Sequence, residues 1–291
     1  MKRNAALLAL LLVGCTHVNV TLRDRIKEPP PPVAIPHGVL WTDGIQSACE
    51  APWGFSQIQL ERPIGQAVQG NAEVNMTRVP APGGDGFALK QIATFDNNGG
   101  SRSQAGIYSF ANSTFSQLVQ SPNGVYIAQE WFFPEAITAN SGLDTNPWVN
   151  LWDFHSVGPG SRWDTQPGLM LAEDGSMRVK WSWHEHNHET DWSSVSLPVG
   201  EWFDVEMHYV WSESANGGSS CEPGGGTTVT LWVNGQKVLE QSGVITKGSG
   251  HDSVETYMKF YGSASGGNDW HPMPSVKYFR NVRMAGERIW R

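Results

Sequence analysis

The stretch TVTLWVNGQKVL, residues 228–239, places Asn234-Gly235 between two runs in which apolar and polar residues alternate. Asn-Gly at such a position is typical of a type I′ turn, because both turn residues adopt positive φ. The stretch therefore predicts a β-hairpin whose strands are residues 228–233 and 236–239.

Alternating patterns of the same kind recur earlier in the chain. Apolar residues two apart occur at Val205, Met207, Tyr209 and Trp211, and again at Val179, Trp181 and Trp183. Such alternation predicts strands with one buried face, and no amphipathic helix of ordinary length is evident. Many short strands separated by Gly and Pro turns predict an all-β sandwich of two antiparallel sheets. We expect one domain to occupy residues 38–291.

The N-terminus has the pattern of an export signal. A positively charged start and a short apolar run lead to small residues and Cys15, as in secretory signals, and residues 12–15 resemble the lipobox of bacterial lipoproteins. We therefore expect a signal at residues 1–14, a lipid on Cys15 and a Pro-rich tether over residues 15–37. An ordinary signal with a chance Cys is the alternative. Thr16 implies, by the sorting rule of lipoproteins, the outer membrane.

Net charge and cysteine content limit the partners and the compartment. The chain carries a net charge of -8, and removing the signal takes away two cations and no acid, which brings the mature chain near -10. An acidic chain lacks the basic surface that nucleic acids require, so we expect no nucleic-acid partner. Besides Cys15, the chain contains Cys49 and Cys221. In an oxidising compartment these two are expected to form a disulfide, with two free thiols as the alternative.

Residues 184–188 read His-Glu-His-Asn-His and match the H-E-x-x-H pattern of zinc proteases. That pattern needs a helix, which brings both His to one face, whereas the residues before it alternate like a strand. On a strand, His184, His186 and His188 would share one face and could bind a metal. We prefer a polar strand end that faces solvent or sugar, and we expect neither a metal nor another cofactor.

Three short motifs carry the chemistry that we expect. They are Arg102-Ser103-Gln104, Asp153-Phe154-His155 and residues 257–261, which read Tyr-Met-Lys-Phe-Tyr. In this order they resemble the R-(S/T)-E-L, Q-(I/V)-H and Y-x-K-x-G-x-Y signatures of jelly-roll polysaccharide lyases. The alginate lyases and the heparin lyase I-like group, to which the resemblance points, share a concanavalin A-like sandwich. Residues 197–205 and 278–283 also look like this group.

The resemblance implies β-elimination from a uronic acid, with His155, Tyr257, Tyr261 and Arg102 as catalytic candidates. Arg102 would bind the acidic sugar. His155 would neutralise the sugar carboxylate or take the proton beside it, and a Tyr would act as acid or base. Asp153 would hold the tautomer of His155.

We also expect Gln104, Asp153, Lys180, Lys259 and Trp152 to bind substrate. Two of these residues depart from the family. Gln104 stands where the family has Glu, and Asp153 stands where it has a carboxylate-binding Gln, so that a negative charge there would repel a uronate. Counting from Lys259, the family's catalytic Tyr falls at Ser263, two residues beyond Tyr261.

Two functions remain open on this evidence. The first is an outer-membrane-anchored polysaccharide lyase that cleaves an acidic glycan. The second, which the altered motifs motivate, is a non-catalytic glycan-binding lipoprotein on the same scaffold. A metal-dependent hydrolase built on His184, His186 and His188 is a distant third, and no motif pairs two carboxylates as a glycosidase requires. In either main case we expect a monomer that meets the membrane only through its lipid.

Overall fold

The computed structural model describes only part of the chain. The described residues are 39–42, 57–61, 76–83, 86–93, 102–109, 112–139, 148–158, 161–163, 168–171, 176–183, 188–189, 193–211, 227–244, 246–247, 250–263, 270–272 and 274–290. The predicted signal, Cys15, the predicted tether, Cys49 and Cys221 lie outside these ranges.

The described residues form eighteen strands and one helix. In chain order these are β1 (Val39–Thr42), β2 (Gln57–Glu61), β3 (Met76–Pro80), β4 (Phe87–Ala93), β5 (Arg102–Tyr108), α1 (Ser113–Gln120), β6 (Val125–Phe132), β7 (Thr138–Ala139), β8 (Trp148–Gly158), β9 (Ser161–Trp163), β10 (Gly168–Leu171), β11 (Val179–Trp183), β12 (His188–Glu189), β13 (Trp202–Tyr209), β14 (Thr227–Val233), β15 (Gln236–Val244), β16 (Ser253–Ser263), β17 (Trp270–His271) and β18 (Ser275–Ala285).

Two large antiparallel sheets account for most of these strands. Sheet 1 has the order β15-β14-β13-β6-β18-β4-β3, with β1 also paired to β18. Sheet 2 has the order β12-β11-β10-β8-β16-β5-β2, with β9 also paired to β8. The short strands β7 and β17 pair with each other. The predicted all-β, jelly-roll sandwich of two antiparallel sheets is confirmed.

Aromatic residues join the two sheets across one hydrophobic core. Trp131 of sheet 1 meets Trp152 of sheet 2 edge to face, with 6.3 Å between ring centroids. Phe154 of sheet 2 stacks on Tyr209 of sheet 1 at 4.0 Å. Aromatic pairs of this kind contribute about 0.5–1.5 kcal/mol beyond the area they bury. Strand β8 is therefore held against sheet 1 at the level of the residues that carry its polar motif.

The hairpin predicted from the Asn-Gly pair is confirmed. Strands β14 and β15 pair on either side of Asn234 and Gly235, whose φ angles are 48° and 76°. Both values lie in the left-handed region that a type I′ turn requires.

Helix α1 was not predicted from the sequence. Its N-cap Asn112 accepts a hydrogen bond from the backbone N–H of Phe115 at 2.9 Å, and it buries Phe115, Leu118 and Val119. A helix of two turns is too short to establish the periodicity on which a prediction rests. In the described part of the chain, no helix has the length and apolar character needed to cross a membrane.

Candidate active site

A buried carboxylate, that of Asp153, is the centre of a polar cluster on sheet 2. Asp153 is fully buried, and its Oδ2 atom accepts hydrogen bonds from Asn150 Nδ2 at 3.1 Å and from His155 Nε2 at 3.1 Å. Lys259 Nζ donates to the same oxygen and forms an ion pair with it. Three side chains from two neighbouring strands thus share one acceptor atom.

The charge of Asp153 is fixed by its neighbours. Burial by itself raises the pKa of this carboxyl, but His155 and Lys259 outweigh that effect and hold the pKa well below its usual range. Asp153 is therefore ionised at neutral pH. Because an ionised carboxylate only accepts hydrogen bonds, His155 Nε2 is the donor. Among the described residues, Nδ1 of His155 is buried and meets no hydrogen-bond partner, so it is the ring nitrogen that carries a lone pair when the ring is neutral.

Tyr257 on β16 lies beside this cluster. It is directly opposite Asp153 in the β16–β8 register, and its ring centroid is 5.2 Å from that of His155. The hydroxyl of Tyr257 donates to Glu255 Oε2 at 2.6 Å, and Lys259 Nζ lies 5.4 Å from the Tyr257 ring centroid. A hydroxyl, an imidazole and an ammonium group are thereby gathered in one place.

Alternation along the two strands explains why these residues meet. Phe154, Met258 and Phe260 belong to the hydrophobic core, so their neighbours point to the opposite, outer face of sheet 2. Asp153 and His155 flank Phe154 on β8. Each polar motif therefore presents its side chains to the same face, although the motifs are about a hundred residues apart.

A bulge in β8 adds Asn150 to the cluster. The register of β8 shifts against β16 between Met258 and Tyr261, and against β10 between Leu169 and Met170. As a result Leu151 and Trp152, adjacent in sequence, both lie in the core. Asn150 then reaches the same face as Asp153 despite a spacing of three, and its Oδ1 also accepts from the Trp152 backbone N–H at 3.1 Å.

Of the residues predicted from the sequence, the structure brings together Asp153, His155, Tyr257 and Lys259. Lys180 is buried, at 7% exposure. Met170 pairs with Lys180 on one neighbouring strand and with Asn150 on the other, so the three residues form one row across the sheet.

Arg102, Gln104 and Tyr261 are described by their backbones alone. Gln104 lies opposite Lys259 in the β16–β5 register, and Tyr261 lies opposite Asn150. Arg102 is two residues from Gln104 on β5, so strand alternation gives both positions the same face.

The expectation that Trp152 contacts substrate is wrong. Trp152 is fully buried in the core, where its indole N–H donates to Thr256 Oγ1 at 2.9 Å. The reason is its position directly before Asp153, because neighbouring strand residues point to opposite faces.

The expectation of one strand carrying His184, His186 and His188 is also wrong. Strand β11 ends at Trp183, and His188 begins β12, which pairs antiparallel with β11 so that His188 lies opposite Trp183. His188 therefore belongs to a different strand from the one that ends at Trp183. His184 and His186 lie outside the described residues, and the described part of the chain contains no group of three His, Cys, Asp or Glu placed to hold a metal ion.

The sequence interpretation did not include Asn150 and Glu255. Glu255 stands two residues before Tyr257, and because side chains alternate along a strand, the sequence already indicates that both lie on the same face. Asn150 gave no such signal, because its face depends on the bulge. One cavity of about 590 Å³, which Tyr126, His208 and Arg288 help to line, belongs to sheet 1 and contains no member of the cluster.

Comparison with known proteins gives a family and a fold. A family model described as "Polysaccharide lyase" matches residues 54–265. A search of curated proteins found no match.

Among solved structures, the alginate lyase vAL-1 from Chlorella virus is similar, with a TM-score of 0.50 and 12% identity over 85% of this chain and 99% of that one. An endo-β-1,4-glucuronan lyase from the fungus Trichoderma reesei gives a TM-score of 0.42 and 11% identity, over 79% of this chain and 95% of its own. An alginate lyase from Aplysia kurodai gives 0.45 and 9%, over 72% and 86%. At 12% identity, the similarity to the Chlorella virus enzyme shows a shared fold and nothing further.

Proposed function

Because the chain belongs to the polysaccharide lyase family, we propose that it cleaves a uronate-containing glycan by β-elimination. The observation that carries this proposal is the Asp153 carboxylate, which joins His155 and Lys259 beside the hydroxyl-bearing Tyr257. In this reaction the proton beside the sugar carboxylate is removed, the bond to the leaving oxygen breaks, and a carbon–carbon double bond forms between the two carbons. The site offers a proton acceptor, a proton donor and a positive charge for these steps.

Charge supports an acidic substrate. The negative charge of Asp153 is compensated inside the protein by Lys259 and by the Nε2–H of His155. Lys180 adds a second cation on the same face of sheet 2. Lys259 and Lys180 thus place two ammonium groups on the face that also carries the carboxylates of Asp153 and Glu255, and these ammonium groups are what a sugar carboxylate would contact. The alginate lyase named in the comparison acts on a polymer of this class.

We assign the two proton transfers to His155 and Tyr257. His155, with Asp153 holding its Nε2–H, accepts the proton at Nδ1. The Tyr257 phenol, released from its hydrogen bond to Glu255 Oε2, donates its proton to the leaving oxygen. The two rings lie side by side, with 5.2 Å between their centroids.

The test is the ultraviolet absorbance of the unsaturated uronate product. The purified domain is incubated with alginate, glucuronan and glycosaminoglycans, and rates are compared for the wild type and for His155→Gln. We expect the variant to lose a factor of about 10²–10⁴ in turnover with an unchanged circular dichroism spectrum, as is usual for loss of a general base. The matched control is His208→Gln, because His208 lies on sheet 1 against Tyr126 and should be silent. Absence of product from every uronate polymer would exclude the proposed reaction.

A second candidate is a non-catalytic glycan-binding protein on the same scaffold. The observation that favours it is burial, since His155 and Tyr257 are only 4% and 2% exposed and offer little surface to a polymer. Titration calorimetry separates the two functions. Saturable binding of a uronate oligosaccharide without product formation indicates the binding protein, whereas product formation indicates the enzyme.

We further propose that the protein is a monomeric lipoprotein of the outer membrane, anchored through Cys15. The signal-like N-terminus and the proline-rich segment after it support this location. Metabolic labelling with palmitate tests it, with Cys15→Ser as the matched variant. Label retained in that variant, or wild-type protein recovered without label, would contradict the anchor, and light scattering of the soluble domain measures the oligomeric state.

A further inference from the structure

A lysine of sheet 1 crosses the hydrophobic core to the back of the candidate active site. Lys277 on β18 is fully buried. Its Nζ donates to the backbone carbonyl of Lys259 at 2.7 Å and to that of Leu151 at 3.1 Å. Both acceptors belong to sheet 2, one on β16 and one on β8.

A glutamine beside this lysine also donates a hydrogen bond to the backbone of sheet 2. Gln91 on β4 is the cross-strand partner of Lys277 in sheet 1, and it too is fully buried. Its Nε2 donates to the backbone carbonyl of Met258 at 3.0 Å. Two neighbouring polar side chains thus reach three carbonyls of the opposite sheet, all within the stretch where β8 and β16 change register.

The bulge explains why polar groups occur at this depth. An extra residue in a strand interrupts the ladder and turns backbone groups away from their usual partners. A buried carbonyl that finds no donor destabilises the folded state. Apolar residues of the core could not supply a donor, whereas Lys277 and Gln91 supply three N–H contacts to the interrupted segment.

Lys277 has enough donors for this purpose. Burial lowers the pKa of its amine well below the usual value. With or without its extra proton, the amine carries at least two N–H donors, which is enough for the two carbonyls.

We propose that Lys277 and Gln91 are positioning residues for the proposed lyase reaction, an inference that rests on that proposed function. From sheet 1 they fix the bulge that sets Asn150 beside Asp153, and they hold the backbone from which Lys259 reaches the same carboxylate. Neither residue touches substrate. A displacement of about 1 Å at reacting groups can cost a factor of about 10² in rate. Side chains that hold this backbone in place from the core therefore affect the rate of the reaction.

The first test compares Lys277→Met with Met284→Ala. Methionine retains length and apolar bulk and removes the donors. Met284 is fully buried on the same strand and offers no side-chain N–H donor, so its variant loses stability by packing alone. Both are assayed on a uronate polymer that the wild type cleaves, at a temperature where circular dichroism shows each to be folded. We expect turnover to fall by about tenfold or more in Lys277→Met, with an altered pH profile, and to remain near the wild-type value in Met284→Ala. Wild-type turnover and pH profile in Lys277→Met would overturn the proposal.

The second test does not depend on activity. The imidazole ¹⁵N signals of His155, identified by their loss in His155→Gln, are titrated by NMR in the wild type and in the same two variants. We expect Lys277→Met, and not Met284→Ala, to shift the titration of His155. Should Lys277→Met fail to fold, Gln91→Met is used in its place with the same expectations. If the wild type cleaves no uronate, the proposed function fails, and an unshifted His155 signal still overturns the positioning role.

Discussion

Replacing Asp153 by Asn removes the negative charge that His155 and Lys259 share. The residue is fully buried and its Oδ2 accepts from Asn150, His155 and Lys259. Removing one partner of a buried ion pair costs about 3–5 kcal/mol, because the other charge remains buried. The amide keeps the shape and one acceptor oxygen. We therefore expect the free energy of unfolding of Asp153→Asn to fall by about 3 kcal/mol, the lower end of that range.

The pH dependence gives this loss a signature. His155 and Lys259 hold the pKa of Asp153 well below its usual range, against the opposing effect of burial. A carboxyl with a lowered pKa contributes its full stabilisation above its unfolded pKa, about 3.9 for Asp, and loses it as the pH falls towards the folded value. The gap between wild type and variant should therefore be constant near neutral pH and should shrink below about pH 4.

Urea unfolding followed by tryptophan fluorescence measures this gap, provided that the urea dependence is equal in both proteins. The matched control is Asp204→Asn on sheet 1. Burial and the nearby Glu130 raise the pKa of Asp204, so its ionised form is not stabilising and the control should be as stable as the wild type or more so. The reasoning is refuted if Asp153→Asn loses less than about 1 kcal/mol at neutral pH, or if the gap persists unchanged in acid.

Three further predictions concern single side chains. Tyr257→Phe removes the hydroxyl beside Glu255 and keeps the ring, so turnover should fall by about 10² or more in steady-state kinetics; an active variant would exclude Tyr257 as the acid. Trp152→Phe removes the donor to Thr256 within the core, and urea unfolding should show a loss of about 1–3 kcal/mol; unchanged stability would contradict its buried role. Gly124 has a φ of 69°, and a Cβ there would clash with the Tyr209 carbonyl oxygen, so Gly124→Ala should lower the free energy of unfolding by about 1–3 kcal/mol, and a neutral result would mean that the turn adapts.

The sandwich and half of the candidate site could be read from local patterns. Period-two alternation identified the buried faces of β11 and β13, and the Asn-Gly pair located the hairpin. The same rule assigned Asp153 and His155 to one face of β8, and Tyr257 and Lys259 to one face of β16. Resemblance to a family then suggested that these faces are shared, since alternation within one strand carries no information about its neighbours.

The remaining features depend on contacts between distant segments. Asn150 joins the site through a bulge, and a bulge is set by the register of three strands rather than by the sequence of one. Lys277 follows Val276 and Gln91 follows Lys90, as surface residues of a strand also can, and only the opposite sheet reveals that they are buried. The His-rich run does not form one strand, because β11 ends at Trp183 and His188 belongs to the next strand, and an alternating pattern does not reveal where one strand ends and another begins.

Eight consecutive residues of β8, Val149 to Ser156, are buried. One side of this segment packs in the core and the other side forms the candidate active site, so most mutations in it alter folding and chemistry together. A directed-evolution library aimed at a new sugar preference should leave this segment untouched. Substitutions placed in the connections around sheet 2 should give more folded variants, because a side chain in such a connection can change without altering the packing of the core.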